Sequence, residues 1–219
     1  MTHYSVILHG AAERSPNYAH ALIDNLVKLG MEPQTIIPVY YGDILQPFEN
    51  SVIKALATNP LTVREHLQSV RSFLDQFATD IFQWGNPCIQ AKIKQRVSNS
   101  TIQVGETDSW TLIAHSWGCV IGTQLRPTAV SMILLGCPLR LIPSPSSLPT
   151  SVSNFFHSDD LIASPLAGLY PNCTDYEVVD AGPPTYVVGG EELVLVPDAH
   201  NCYWGSLQVA KEVIRCQPA

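Results

Sequence analysis

Residues 111–122 read Thr-Leu-Ile-Ala-His-Ser-Trp-Gly-Cys-Val-Ile-Gly, an apolar run that passes through a single serine between small residues and continues into a second apolar run. The first run, Trp110 to Ala114, has strand character, and Cys119 to Leu125 reads as a short helix. A strand that hands over to a helix so abruptly brings the two elements close together. Small residues are therefore needed two before and two after the turning residue, and Ala114 and Gly118 supply them. Ser116, at the turn, is thereby held out of the sheet. The backbone N–H groups that open the helix face it, at the positive end of the helix dipole.

The rest of the chain alternates in the same way. Runs with strand character at Tyr4 to Leu8, Thr35 to Tyr40, Ser131 to Leu135, Val152 to Phe156 and Tyr176 to Val179 are interleaved with helical patterns. This predicts an α/β fold with a mostly parallel central sheet and helices on both faces. Ser15-Pro16 marks the start of a helix whose apolar face holds Ala19, Leu22, Ile23 and Leu26 and which Gly30 ends. Gly189-Gly190 separates Thr185 to Val188 from Glu191 to Val196 and predicts a hairpin that adds an antiparallel pair near the sheet's end. Gly205 to Cys216 closes the chain as an amphipathic helix.

Between about 45 and 105 no strand is expected. Leu67, Val70, Leu74, Phe77 and Ile81 form one apolar helical stripe there, and a second helix is expected from Cys88 to Val97. This helical insertion reads as a crossover packed on the sheet, with a partial lid as the alternative. Pro143 to Pro149 reads as a surface loop. With 219 residues, 46% of them apolar, the chain can bury roughly 70% of its unfolded surface. A single domain over 1–219, without a large separate cap domain, is expected.

Composition narrows the partners. Charged residues make up 14% of the chain and the net charge is -7, so no basic stripe is available for nucleic acid. The first residues carry no basic segment, and the apolar run Val6 to Leu8 is too short for a signal sequence or a membrane span. The protein is therefore expected to begin at or near Met1 and to be cytoplasmic. Six cysteines are scattered without a C-x-x-C pair, and buried, reduced thiols are the expected state.

The pentapeptide Ala114-His115-Ser116-Trp117-Gly118 resembles the nucleophile elbow of the α/β-hydrolase superfamily, with alanine where members commonly have glycine. The resemblance extends from Tyr4 to the last helix, and it implies an order of nucleophile, acid, histidine along the chain. His157 and His200 both follow Ser116. His200, in the loop Pro197-Asp198-Ala199-His200 before the final helix, stands where the family's base does. Asp160, in Asp160-Leu161-Ile162-Ala163, fits the form of the acid loop, with neighbouring Asp159 as the alternative and Asp180 at the end of another possible strand. The resemblance further implies an oxyanion hole made by the backbone N–H of Trp117 and, from Leu8-His9-Gly10-Ala11, that of Ala11.

The implied activity is hydrolysis of a small-molecule acyl ester through an acyl-enzyme, as in esterases and lipases, with no cofactor and no metal. Thioesterase, acyltransferase and peptidase chemistry are alternatives within the same mechanism. A relative that only binds a ligand or protein is the alternative outside it. His9, His115 and Tyr203 are expected to line the substrate pocket, with packing of the elbow as the competing role for such aromatic neighbours.

Overall fold

The structure, a computed structural model, describes residues 2–45 apart from 12 and 14, then 78–79, 83–105, 107–125, 131–141, 148, 151–182, 185–188, 191–194 and 196–217. Six strands form one sheet: β1 (His3–Leu8), β2 (Ile36–Val39), β3 (Ser109–His115), β4 (Ser131–Leu135), β5 (Val152–Phe156) and β6 (Cys173–Glu177). Their order is β2-β1-β3-β4-β5-β6, and every neighbouring pair is parallel. The central strands are buried on both faces, which is why they carry apolar runs such as Val6-Ile7-Leu8, Leu112-Ile113-Ala114 and Met132-Ile133-Leu134-Leu135.

Successive residues of each strand feed opposite cores. Val6, Leu8, Leu112, Ala114, Met132 and Leu134 belong to one cluster, and Ile7, Ile113, Ile133, Leu135 and Phe155 to the other. The helices are α1 (His20–Lys28), α2 (Pro87–Ser100), α3 (Trp117–Leu125), α4 (Val196–Asn201) and α5 (Leu207–Arg215). On one face α2 and α3 bury Ile89, Ile93, Val97, Cys119, Val120 and Ile121. On the other, α1 and α5 bury Leu22, Leu26, Val209, Ala210 and Val213. Each fully buried Leu, Ile or Val contributes about 1.5–3 kcal/mol relative to leaving it in water.

Two helix starts show how side chains set the boundaries. Asn86 accepts from the Cys88 N–H at 2.9 Å, with Pro87 at the first helical position of α2. Ser206 accepts from the Val209 N–H at 3.1 Å to cap α5, while its own hydroxyl donates to Asp180 at 2.6 Å. The Asp180 carboxylate also accepts from the Gln208 N–H at 2.7 Å. Asp180 is thus committed to the start of α5.

Several boundaries differ from those expected. Ser15 accepts from the Asn17 N–H at 3.1 Å, and the chain turns before α1 begins at His20. Strand β6 starts at Cys173, because its polar Thr174 and Asp175 lie on a partly exposed strand where the apolar signal is weak. The hairpin forms from β7 (Thr185–Val188) and β8 (Glu191–Val194), but it is a separate two-stranded sheet and does not extend the parallel one. The stripe at Leu67, Val70, Leu74, Phe77 and Ile81, and most of Pro143 to Pro149, lie outside the described residues. Among the described residues no helix is long and apolar enough to cross a membrane.

The strand order itself creates a site. From β1 the chain moves to β2 on one side and then returns to β3 on the other. The connections leaving β1 and β3 therefore diverge, which marks the carboxyl ends of these strands as the place for the crevice in which open parallel sheets bind ligands.

Candidate active site

Ser116 lies at that end of the sheet, between the last residue of β3 and the first of α3. Its φ of 53° makes it the one non-glycine residue in the left-handed region among those described. Such a conformation costs about 1–2 kcal/mol, so its surroundings must hold it. The Ser116 N–H donates to the Leu135 carbonyl at 2.8 Å, extending the β3–β4 ladder by one residue. Its carbonyl accepts from the Cys119 N–H at 2.9 Å, and the Cys119 thiol donates to the Ala114 carbonyl at 3.0 Å.

Two glycines let β1 approach. A Cβ on Gly118 would stand 2.4 Å from the His9 carbonyl oxygen, so only glycine fits there. A Cβ on Gly10 would stand 2.5 Å from the Ser116 Cβ and 3.0 Å from its Oγ, which places the end of β1 directly against the serine side chain. Ala11 follows that contact in the chain and Trp117 follows Ser116, so both expected N–H donors lie in the segments that meet at the hydroxyl.

His200 is buried on α4, a short helix where a loop was expected; Pro197 near its start and Asp198 in its first turn favour helix there. Its Nδ1 donates to Asp160 Oδ2 at 2.8 Å. A carboxylate only accepts, so the Nδ1 proton is assigned by its partner and Nε2 is the basic atom of the neutral ring. Asp160 Oδ1 accepts from the Ile162 N–H at 3.0 Å and the Ala163 N–H at 3.3 Å. Burial would raise its pKa, but the His200 bond and charge, the Tyr203 hydroxyl and the Ile162 N–H outweigh burial and leave it below the ordinary value.

Asp159, by contrast, is exposed, and its N–H donates to His157 Nδ1 at 3.1 Å. It is turned to the other side of the same loop. Asp160, His200 and Ser116 are thus brought to one end of the sheet, while the His157 ring accepts from the Asp159 N–H, and Asp180 caps α5.

No protein-family model matches this chain, and no curated protein matches it significantly.

Two links join His200 to the serine segment. The ring rests on Gly136, where a Cβ would lie 3.1 Å from both His200 Cε1 and Nδ1, and Gly136 directly follows the Leu135 that holds Ser116. Gly136 has a φ of 57°, so it is required for its conformation as well as its size. The second link is His115, whose Nε2–H donates to the His200 carbonyl at 2.6 Å. Its ring packs 4.8 Å from that of His200 and 4.9 Å from that of Trp204. Burial first, then the nearby His200, pulls the His115 pKa down to about 3, so the ring is neutral.

His9 is a second buried, neutral imidazole. Its Nε2 accepts from the Tyr41 N–H at 3.0 Å, which leaves Nδ1–H to donate to the Gly10 carbonyl at 2.7 Å. Burial lowers its pKa to about 4. The Tyr41 ring stacks on it at 3.8 Å, and the Tyr18 hydroxyl pins the neighbouring strands by donating to the Ile7 carbonyl at 2.7 Å.

His9, His115 and Tyr203, expected to line the pocket, are all buried; both His9 nitrogens, His115 Nε2 and the Tyr203 hydroxyl bond to backbone groups or to Asp160, and the three residues form a buried frame around Ser116 and His200. Tyr18, Tyr41 and Gly136 belong to the same frame and carry no local sequence signal beyond being aromatic or glycine. All six cysteines are free thiols, with Cys119, Cys137 and Cys173 buried. Among the described residues no cluster of His, Cys, Asp and Glu could hold a metal ion.

Proposed function

We propose that this chain is a serine hydrolase of the α/β-hydrolase type, cleaving carboxylic ester-type bonds through an acyl-enzyme. The observation that carries the reading is the left-handed Ser116 set between a parallel strand and a helix, at the same end of the sheet as an imidazole whose Nδ1 is bound to a buried carboxylate. A strained serine persists where the surroundings over-determine it, and such strain clusters at functional sites.

The chemistry follows from the tautomer. His200 Nε2 takes the hydroxyl proton as Ser116 attacks a carbonyl, and Asp160 stabilises the imidazolium. The Trp117 and Ala11 N–H groups hold the developing oxyanion. His200 then protonates the leaving oxygen, and water repeats the sequence to release the acid. An ester places a smaller demand on leaving-group protonation than an amide does.

A fluorophosphonate probe tests this directly. Peptide mapping is expected to find it on Ser116, and labelling should vanish in Ser116→Ala. A folded wild-type protein that is never modified at Ser116 would be a binder and not a hydrolase. Gly10→Ala provides a second check, because its methyl must displace the serine side chain. Overpacking of this kind costs about 1–3 kcal/mol, and misplacing a reacting atom by an ångström slows reaction by about 10²-fold. Thermal melts and the labelling rate measure the two effects. An unchanged rate would mean that the hydroxyl does not react from this position.

A further inference from the structure

Tyr203 is unusual among the buried groups because its hydroxyl touches the acid itself. It donates to Asp160 Oδ2 at 2.7 Å, the same oxygen that His200 uses at 2.8 Å. It also accepts from the His157 N–H at 3.0 Å, so its proton is directed to the carboxylate. The ring is fully buried and lies close against Gly136, where an added Cβ would stand 2.8 Å from Tyr203 Cε2. A rigid phenol, clamped by backbone on one side, is therefore aimed at one carboxylate oxygen.

We infer that Tyr203 is a positioning residue for the His200–Asp160 pair, fixing the carboxylate's orientation and drawing off part of the negative charge that faces the imidazole. This rests on the proposed role of His200 as base. The charge Asp160 holds on Oδ2 is shared between two donors, so the stabilisation offered to an imidazolium is reduced. His200 is then kept oriented by a carboxylate whose charge is partly engaged by a second donor. The groups that carry or can carry charge around the hydroxyl are Asp160, Asp159 and His157 from the loop after β5, His115 from the end of β3, His200 from α4, and Cys202 next to Tyr203 itself. His115 is held neutral, so Asp160 is the charge that the phenol modulates.

The test is the imidazole titration of His200, followed by NMR in histidine-labelled protein, together with the acidic limb of kcat/KM for an activated ester. In Tyr203→Phe both are expected to move to higher pH by about half a unit or more, a fraction of the worth of a hydrogen bond to a charged group. Packing loss alone would lower the rate without moving the profile. Because Tyr203 is buried, a second variant carries 3-fluorotyrosine at 203. Its shape is nearly unchanged, but it is a stronger donor and should move the titration to lower pH.

A folded protein in which neither replacement shifts the His200 titration overturns the inference, even if Ser116 is labelled and esters are cleaved. Opposite shifts in the two variants support it. They would do so even in a protein that never reacts with a fluorophosphonate, where the hydrolase reading alone would fall.

Discussion

Ser116→Ala, His200→Ala and Asp160→Asn are each expected to lower kcat for hydrolysis of an activated ester by about 10⁴-fold or more, with KM changed far less. On the proposed mechanism the three act as one device, so the Ser116→Ala, His200→Ala double variant should be no slower than the worse single variant. Asp160→Asn is the most informative of them. Asparagine can still accept from the Ile162 and Ala163 N–H groups through one oxygen. Its amide would then face His200 and Tyr203, where the native carboxylate accepts from both. The imidazole would have to present a lone pair at Nδ1 and a proton at Nε2, which cannot receive a proton from Ser116. Geometry would survive while the chemistry stops. Asp159→Asn, on an exposed side chain turned to His157, should leave turnover close to that of the wild type. A large loss at Asp159 with retention at Asp160 would reverse the assignment.

How far the site can be read from the chain depends on how local its causes are. The elbow is legible because the demand for small residues at Ala114 and Gly118 is set within a few residues of Ser116. The sheet is legible for a similar reason: buried strands are rich in apolar residues, and β4 and β5 run where their patterns place them, even though β5 buries Ser153 and Asn154. The starts of α1 and β6 are less visible, because a capped turn precedes one and polar residues occupy the other. From sequence alone Asp160 stands ahead of Asp159 only by the form of its loop. The distinction is made by α4, which brings His200 to the carboxylate from 40 residues away.

The frame of buried aromatics is the least legible part. Tyr203, Tyr18 and Tyr41 act through backbone carbonyls, amides and Asp160, partners that lie on other elements. A residue near a motif is as readily part of a pocket wall as of its support, because packing across β1, β3 and β4, not the local sequence, sets its surroundings.

That frame should also make the fold acid-sensitive. His9 and His115 are buried as neutral rings with folded-state pKa values of about 4 and about 3, against about 6.5 in an unfolded chain. The unfolded state therefore takes up protons first as pH falls. The stabilisation from these two rings is fully present above about pH 6.5 and is lost progressively below it. The loss ends only when the folded rings are protonated, near pH 3–4. Between pH 7 and pH 5 the two together should remove about 4 kcal/mol, a large share of the 5–15 kcal/mol that holds a typical domain together. Asp160 acts in the same direction at lower pH, because its folded-state value lies below the ordinary one. Urea melts at pH 7, 6 and 5 measure the slope, which should approach two protons per molecule at the acid end. His115→Gln keeps a donor for the His200 carbonyl but cannot charge, so its slope should fall by about one proton. A midpoint that stays flat between pH 7 and pH 5 in the wild type would mean that the rings are not buried in neutral form. The clamp that His115 places on His200 would then have to be made by a charged ring.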